Sequence, residues 1–534
     1  MKKLSCLFFS FLLLTCTQSE AQTFDNEIKF CVISDVHLYD TTLGINGAAF
    51  QFALMQDRKM LAESQEILKS AISIIKAEDP DFVLIPGDLT MNGEKHNHEL
   101  LQSYLSELKS DGIPSYVVPG NHDISNPAAY RYEGDSVFSI PTVTPQEFVQ
   151  IYNDFGFSEA LLRDSSSLSY IAEPVEGIQI FALDACRYNE QTSNMITGGK
   201  FSAPTLEWIK ENLIKAKNEN KIVIGMMHHG ILEHYEGQKA FFPNFIVEGH
   251  DTVSAMFAEN GMKLVFTGHY HAQDIVHKKF NDSSEIYDVE TASLVSSPNP
   301  VRVVTISPGK SMEIETRIIT EINYPTGGMS FTEYAKKFSD DKLKVIVPYI
   351  LTTSASEWGV SLSDFEAAFV APYLIDALSA HYAGDEMPSQ ETRQFLDFLL
   401  SSDNAGFNFL GNALNGVWTD PAPSDNFYII DNISVVSVES EASSAIVTGF
   451  KLEQNYPNPF NPVTNLKYSL PENGLVKLKV YDLIGREVIT LVNEEKEAGE
   501  HSIQFNASAL ATGVYYYKLE YGNSILSRSM VLLK

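Results

Sequence analysis

The sequence predicts an α/β fold built on a parallel sheet, followed by a helical segment and a C-terminal antiparallel β-sandwich. Three observations carry that reading. Two short apolar runs, 82–85 and 116–118, each break at a Pro-Gly pair and deliver a polar residue just beyond it, Asp88 and then Asn121-His122. With an amphipathic stretch between them, they read as two buried parallel strands joined by a helix. The runs 27–34, 177–183, 221–227 and 262–267 end in the same way, in Asp35-Val36-His37, Asp184, His228-His229-Gly230 and Gly268-His269-Tyr270-His271. Such residues collect at the carboxyl rim of a parallel sheet, where open α/β folds bind ligands. Beyond Leu452 the pattern changes to alternation, as in Val476-Lys477-Leu478-Lys479-Val480, with turns at Gly485, Gly499, Gly513 and Gly522. That is the signature of a compact antiparallel unit.

A chain of 534 residues with 44% hydrophobic content is globular and too long for one core, which implies about three domains at ~150 residues each. The formal charge of −31 excludes a general nucleic-acid binder, because neutralising phosphates needs clustered Lys and Arg. Phosphate chemistry on so acidic a protein has to rely on local positive charge, such as metal ions. Residues 1–21 have a basic start, an apolar centre over 4–14 and a small-residue exit at Ala21, a secretory signal. The apolar run falls short of the ~20 residues a membrane span needs. Cleavage there removes Cys6 and Cys16, and leaves Cys31 and Cys186, which read as inert core thiols.

In chain order, the first strand is followed by helical spacing over 57–77, with Leu61, Ile67, Leu68, Ile72 and Ile75 on one face. The aromatic and polar excursion 124–168 is expected to overhang the rim, with Tyr130, Arg131 and Tyr132 as surface packing. Asp184 reads as a structural carboxylate. Runs 301–306 and 312–319 are expected to close a second sheet. A helical domain is expected over 324–430, where Ser363-Asp364-Phe365-Glu366 forms a capping box and Ser389 opens another helix. Residues 436–450 are Ser-rich and read as a linker.

The rim residues Asp35, His37, Asp88, Asn121, His228, His269 and His271 are oxygen and imidazole donors without a thiolate. That set suits transition metals such as Mn, Fe or Zn, whereas Ca or Mg would favour oxygen alone. Asp35 and His37 are spaced by two, as are His269 and His271, so in extended chain each pair points to one side. The set exceeds what one tetrahedral ion uses. Two ions sharing a carboxylate, ~3.5–4 Å apart, account for it and clamp both oxygens of an in-line displacement.

These motifs, in this order and spacing, resemble the calcineurin-like metallophosphoesterases over a domain at 25–322. The resemblance implies a four-layer αββα sandwich. It also implies Asp35, His37 and His271 on a first ion, Asn121, His228 and His269 on a second, and Asp88 as the bridge. His122 matches the family's non-ligand histidine, which contacts the phosphate or protonates the leaving oxygen, and Asp123 is expected to orient it. A metal-bridging hydroxide is then the expected nucleophile. Gly230 stands where the family often has Pro. Met91 stands where purple acid phosphatases have Tyr, which argues against a tyrosinate-ligated iron.

The stretches Gly87-Asp88-Leu89-Thr90-Met91-Asn92-Gly93-Glu94, Gly120-Asn121-His122-Asp123 and 144–157 resemble class III cyclic-nucleotide phosphodiesterases. YPNPFNP, VYDLIGREV and LATGVYYYKLEYG resemble the type A C-terminal sorting domain of type IX secretion, over 451–534. That implies export through the periplasm to the medium or the outer surface, the secretion machinery as partner, and removal of the tail. The expectation is a secreted dinuclear-metal phosphodiesterase acting on a small-molecule ester, cyclic nucleotides among them. A broad phosphomonoesterase or nucleotidase on the same site, and a catalytically silent surface-binding protein, are the alternatives.

Overall fold

Six strands form the first sheet of the computed structural model, and three of them are the predicted parallel core. The model describes residues 27–433 and 450–533, apart from 56, 282–283, 309–310, 354–357, 359, 361, 385, 420–423, 432, 453–454, 456–457, 459, 472, 482–485, 497, 509 and 523. The expected signal and all but the last residue of the expected linker lie outside the described residues. Strand Ile28–Val32 runs parallel to Phe82–Ile85, and that strand runs parallel to Ser115–Val117. On its other side Ile28–Val32 pairs antiparallel with Pro300–Ile306, which is followed outward by Met312–Ile318 and Phe427–Ile430. The runs at 301–306 and 312–319 therefore extend the sheet of the first motifs and do not close the second one. Apolar alternation identifies a strand, but the neighbour that takes its edge lies 270 residues away along the chain, as in Val32 opposite Arg302, and local pattern does not encode that.

The second sheet has seven strands in the order Asp274–Asn281, Ser284–Glu290, Leu264–Thr267, Ile222–Met227, Ile178–Leu183, Tyr170–Val175, Leu162–Arg163. Its four central strands are mutually parallel. The strand period of two sorts their side chains onto two faces. Ile178, Ile180, Ile222, Ile224, Met226 and Phe266 join Phe30 and Phe82 in the core between the sheets, where the rings of Phe30 and Phe266 meet edge to face at 5.5 Å. The intervening Phe181, Leu183, Val223, Met227 and Val265 face the other way, against Ile209 and Leu213 of helix Ala203–Asn218 and Phe257 of helix His250–Glu259. Helices Ser64–Glu78 and Lys95–Ser110 bury Ile67, Leu68, Ile72 and Ile75, and Leu101, Leu105 and Leu108. The result is the four-layer αββα sandwich.

The helical pattern expected over 57–77 is realised only from Ser64. Residues 57–63 leave the helix because Met60 N–H is taken by the carbonyl of Val295 at 2.8 Å, which draws Arg58 and Lys59 inward, each only 6% exposed. Farther on, helices Phe331–Thr353, Asp364–Ala383, Gln390–Leu400 and Ala405–Trp418 share a core that includes Tyr235 and Tyr270 of the loops above the second sheet. Ser363 and Glu366 form the expected capping box, and Ser389 caps the next helix. Cys31 and Cys186 are free thiols, and burial first of all pushes Cys31 up to about 12. Among the described residues no helix is long and apolar enough to cross a membrane.

The C-terminal unit has its own core, with Leu466, Val476, Leu478, Tyr517 and Leu532 buried in it. Strands Lys451–Leu452, Val463–Leu470 and Gly499–Asn506 form one antiparallel sheet, and Glu487–Lys496, Gly474–Tyr481, Gly513–Tyr521 and Ser524–Leu532 form the other.

Candidate metal centre

Five of the seven rim residues leave their strands through a backbone turned into the left-handed region. Asp35, His37, Asp88, His269 and His271 have φ of 49°, 38°, 48°, 76° and 64°. A non-glycine residue held there costs on the order of 1–3 kcal/mol, so five of them around one point mark a place where side-chain direction outweighs backbone comfort. The loops are laced together. Asp35 N–H donates to the Gly87 carbonyl, His37 N–H to that of Asp88 at 2.9 Å, and Gly268 N–H to that of His228 at 3.0 Å. Glycine is required where the strands meet: a Cβ on Gly120 would collide with the Asp88 carboxylate, and one on Gly268 with Ser34 and Asp35.

The side chains gather into two groups that share one residue. Asp35, His37, Asp88 and His271 bring ligand atoms within 4.8 Å of one another, and so do Asp88, His228 and His269. His271 Nε2 lies 3.2 Å from Asp35 Oδ1 and from His37 Nε2. Asp88 Oδ2 stands between the groups, 3.5 Å from His37 Nε2 and 3.3 Å from His228 Nε2. Asn121 Oδ1 is 3.0 Å from His228 Nε2 and so borders the second group. His37 Nδ1 and His228 Nδ1 donate to the carbonyls of Thr90 and Pro86, and His269 Nε2 to that of Asn244. This turns one nitrogen of each ring inward, the arrangement that fixes metal-ligating histidines. Two buried carboxylates, four inward imidazoles and an amide oxygen fit a pair of cations of the transition-metal kind.

Electrostatics agree with that fit. Burial opposes the charge of Asp88, but the His228 and His122 rings outweigh it and hold the carboxyl well below its usual range. Asp35 is lowered against its burial chiefly by His271. Burial drives His37 and His269 well below the ordinary histidine value, so both rings are neutral. His228 differs: burial lowers it, yet Asp88 raises it to about 9. A ligating ring must be neutral, so filling the second group displaces the His228 proton at any pH below that value. The apparent affinity for that ion is expected to fall about tenfold per pH unit below it, with about one proton released per ion bound at neutral pH. Calorimetric titration in buffers of different ionisation enthalpy measures this, and binding without proton release would remove His228 from the ligand set.

His122 and Asp123 part company. The His122 ring is directed by Nδ1, which donates to the Met91 carbonyl at 2.8 Å and sits 2.9 Å from Asn92 Oδ1, while Nε2 faces Asp88 Oδ2 at 3.9 Å. Asp123 makes no contact with that ring, which corrects the expectation that it orients His122. Its carboxylate accepts instead from the N–H groups of Leu89, Thr90 and Gly120, and so pins the second and third motif loops to each other. Asp184 is structural as expected, accepting from Leu168 N–H, Cys186 N–H and the Tyr188 hydroxyl.

Two cavities open from this rim. One of about 370 Å³ is lined by Asp88, Asn121, His122, His269 and His271 together with Leu343, Ile346, Val347 and Tyr382 of the helical segment. The other, about 480 Å³, runs past His122, Met91 and Asn92 to Tyr130 and Tyr132 of the overhanging excursion. Asp57, Lys59 and His122 line both. Sequence reasoning missed Asp57, Arg58 and Lys59, which it absorbed into a helix, and Met195, whose sulfur accepts from the side-chain amides of Asn121 and Asn126.

The layers and this rim define an α/β protein with a two-cation donor set at the meeting edge of its sheets. Residues 28–273 match the family model described as calcineurin-like phosphoesterase, and residues 454–533 match that of the secretion system C-terminal sorting domain. The chain carries a calcineurin-like metallophosphoesterase domain followed by a type IX sorting domain. A relative in Bacillus subtilis strain 168, the uncharacterized metallophosphoesterase-like protein YydB, is 25% identical over 249 residues, which is 42% of this chain and 47% of the relative. The match thus spans about half the length of that relative. The crystal structure of a dimetal phosphatase from Danio rerio aligns with 55% of this chain and 97% of its own, at 15% identity and a TM-score of 0.40. PorZ, a type IX secretion component of Porphyromonas gingivalis, aligns with 21% of this chain and 14% of its own, at 16% identity and a TM-score of 0.12.

Proposed function

We propose that this protein is a secreted dinuclear-metal phosphoesterase that hydrolyses phosphodiesters, cyclic nucleotides among them. The observation that carries the diester reading is the meeting of two cavities beside the donor cluster, at Asp57, Lys59 and His122, which line both. A diester has two substituents to place on either side of its phosphorus, and a monoester has one. Asp35, His37 and His271 would hold one cation, Asn121, His228 and His269 the other, and Asp88 would bridge them. Such a pair, when bound, supplies Lewis acidity and an ionised water at neutral pH.

The residues around it bind and orient the ester and move a proton. Burial and the charge of Lys59 push His122 down to about 4, and its Nδ1 proton is committed to Met91, so its inward Nε2 is bare at neutral pH. An anionic ester arriving beside Nε2 raises that value, so that Nε2 takes a proton from solvent and passes it to the leaving oxygen. The C-terminal domain is read as the address for the type IX machinery, which would place the enzyme on the outer surface or in the medium. The test compares bis(p-nitrophenyl) phosphate with p-nitrophenyl phosphate on the metal-loaded protein, followed by cyclic nucleotides. A kcat/KM ratio favouring the diester supports the reading. A ratio favouring the monoester moves it to a phosphomonoesterase, and no turnover of either moves it to a silent binding protein.

A further inference from the structure

Arg58 and Lys59 bring two consecutive cations to the wall of the cleft that holds the donor cluster, and neither belongs to a ligand motif. Both are 6% exposed. Arg58 Cζ sits over the Tyr382 ring, 3.2 Å from its centroid, and its Nη2 donates to the His271 carbonyl at 3.3 Å. Its Nη1 is buried and has no hydrogen-bond acceptor among the described residues. Lys59 pairs with Asp57 Oδ2 at 2.8 Å. Among the described residues that is its single ion pair, and an ammonium has three donors. Burying a cation is costly unless its donors are matched, and here two adjacent cations keep unmatched donors while lining the same space as Asp88, Asn121, His122, His269 and His271. Lys59 also lines the second cavity beside His122, so its ammonium stands where the two arms of the cleft join. The Lys59 ammonium is therefore placed to meet an anion that enters the cleft from outside.

We propose that Lys59, seated beside Arg58, is a substrate-binding residue that grips a non-bridging oxygen of the phosphoryl group held at the metal centre. The inference rests on the phosphate-ester reading for the identity of the anion, and on the geometry of Asp57, Arg58 and Lys59 for its place. Asp57 is the competitor within the chain: it holds the ammonium while the cleft is empty and yields one of its donors to the ligand. The pair then acts as a charge clamp that favours anions over neutral ligands.

The experiment is calorimetric titration of inorganic phosphate into the metal-loaded full chain, with metal content determined for each variant. Lys59→Gln is expected to weaken phosphate binding by about tenfold or more, the effect of losing one charge-assisted hydrogen bond, with both ions retained. Lys59→Arg is expected to stay within about threefold of the parent. Asp57→Asn, a change at a side chain that is 41% exposed, is expected to tighten binding by releasing the ammonium, and it reads the proposal even where Lys59→Gln fails to fold. Unchanged phosphate affinity in Lys59→Gln, or in Asp57→Asn, overturns it. A parent that binds phosphate but hydrolyses no ester would sink the phosphoesterase reading and leave the role of Lys59 intact. A parent that hydrolyses diesters with the same KM as Lys59→Gln would do the reverse.

Discussion

Asp88→Asn is expected to abolish turnover while the chain remains folded. The amide keeps the shape of the carboxylate and can still accept from His122 N–H, a bond of 2.9 Å in the parent. It removes the charge that both ligand groups share, because Asp88 belongs to each of them. The loss of rate is expected to be at least on the order of 10³-fold, beyond the ~10²–10³-fold that removal of one preorganised donor costs. Metal analysis should fall from two ions per chain to one or none. His228 provides an independent readout, because Asp88 is the leading reason that it sits as high as about 9. In the metal-free variant, its titration followed by NMR should move down toward the value that burial favours. A variant that keeps two ions and near-normal rate would mean that the two groups do not share this carboxylate.

His122→Ala is expected to separate metal binding from catalysis. The ring is oriented by Met91 and Asn92 and donates to neither ligand group, so both ions should remain. For esters with poor leaving groups the rate should drop by ~10²–10⁴-fold, the usual worth of a positioned acid. For p-nitrophenyl esters, whose leaving oxygen needs little protonation, the drop should be much smaller. Measuring kcat across leaving groups of rising pKa tests this directly: a steeper dependence in the variant is the expected result, and an unchanged slope would remove His122 from the proton path. Asp123→Asn should leave that slope untouched, since its carboxylate serves the N–H groups of Leu89, Thr90 and Gly120 and not the ring.

The donor set was legible because it is written locally. Asp35, Asp88, Asn121, His228 and His269 each follow an apolar run by one to a few residues, and a parallel sheet carries such positions to one rim. What was not legible depends on contacts distant in sequence. The exit of residues 57–63 from the helical pattern is imposed by the Val295 carbonyl. The role of Asp123 follows from which loop its carboxylate reaches, and adjacency to His122 in sequence pointed to the wrong partner. The pairing of Ile28–Val32 with Pro300–Ile306 leaves no mark on either strand's own alternation. Met195 approaches Asn121 from 74 residues away, out of the irregular stretch 191–202, and no periodic signal announces it.

His37 and His271 face each other across 234 residues of chain. A polypeptide that has emerged only as far as strand Ile222–Met227 therefore lacks His228, His269 and His271 and completes neither ligand group, however well its early strands have paired. Closing so wide a loop is slow relative to local structure. The proposed two-cation centre is thus completed late, after nearly the whole sandwich has been made.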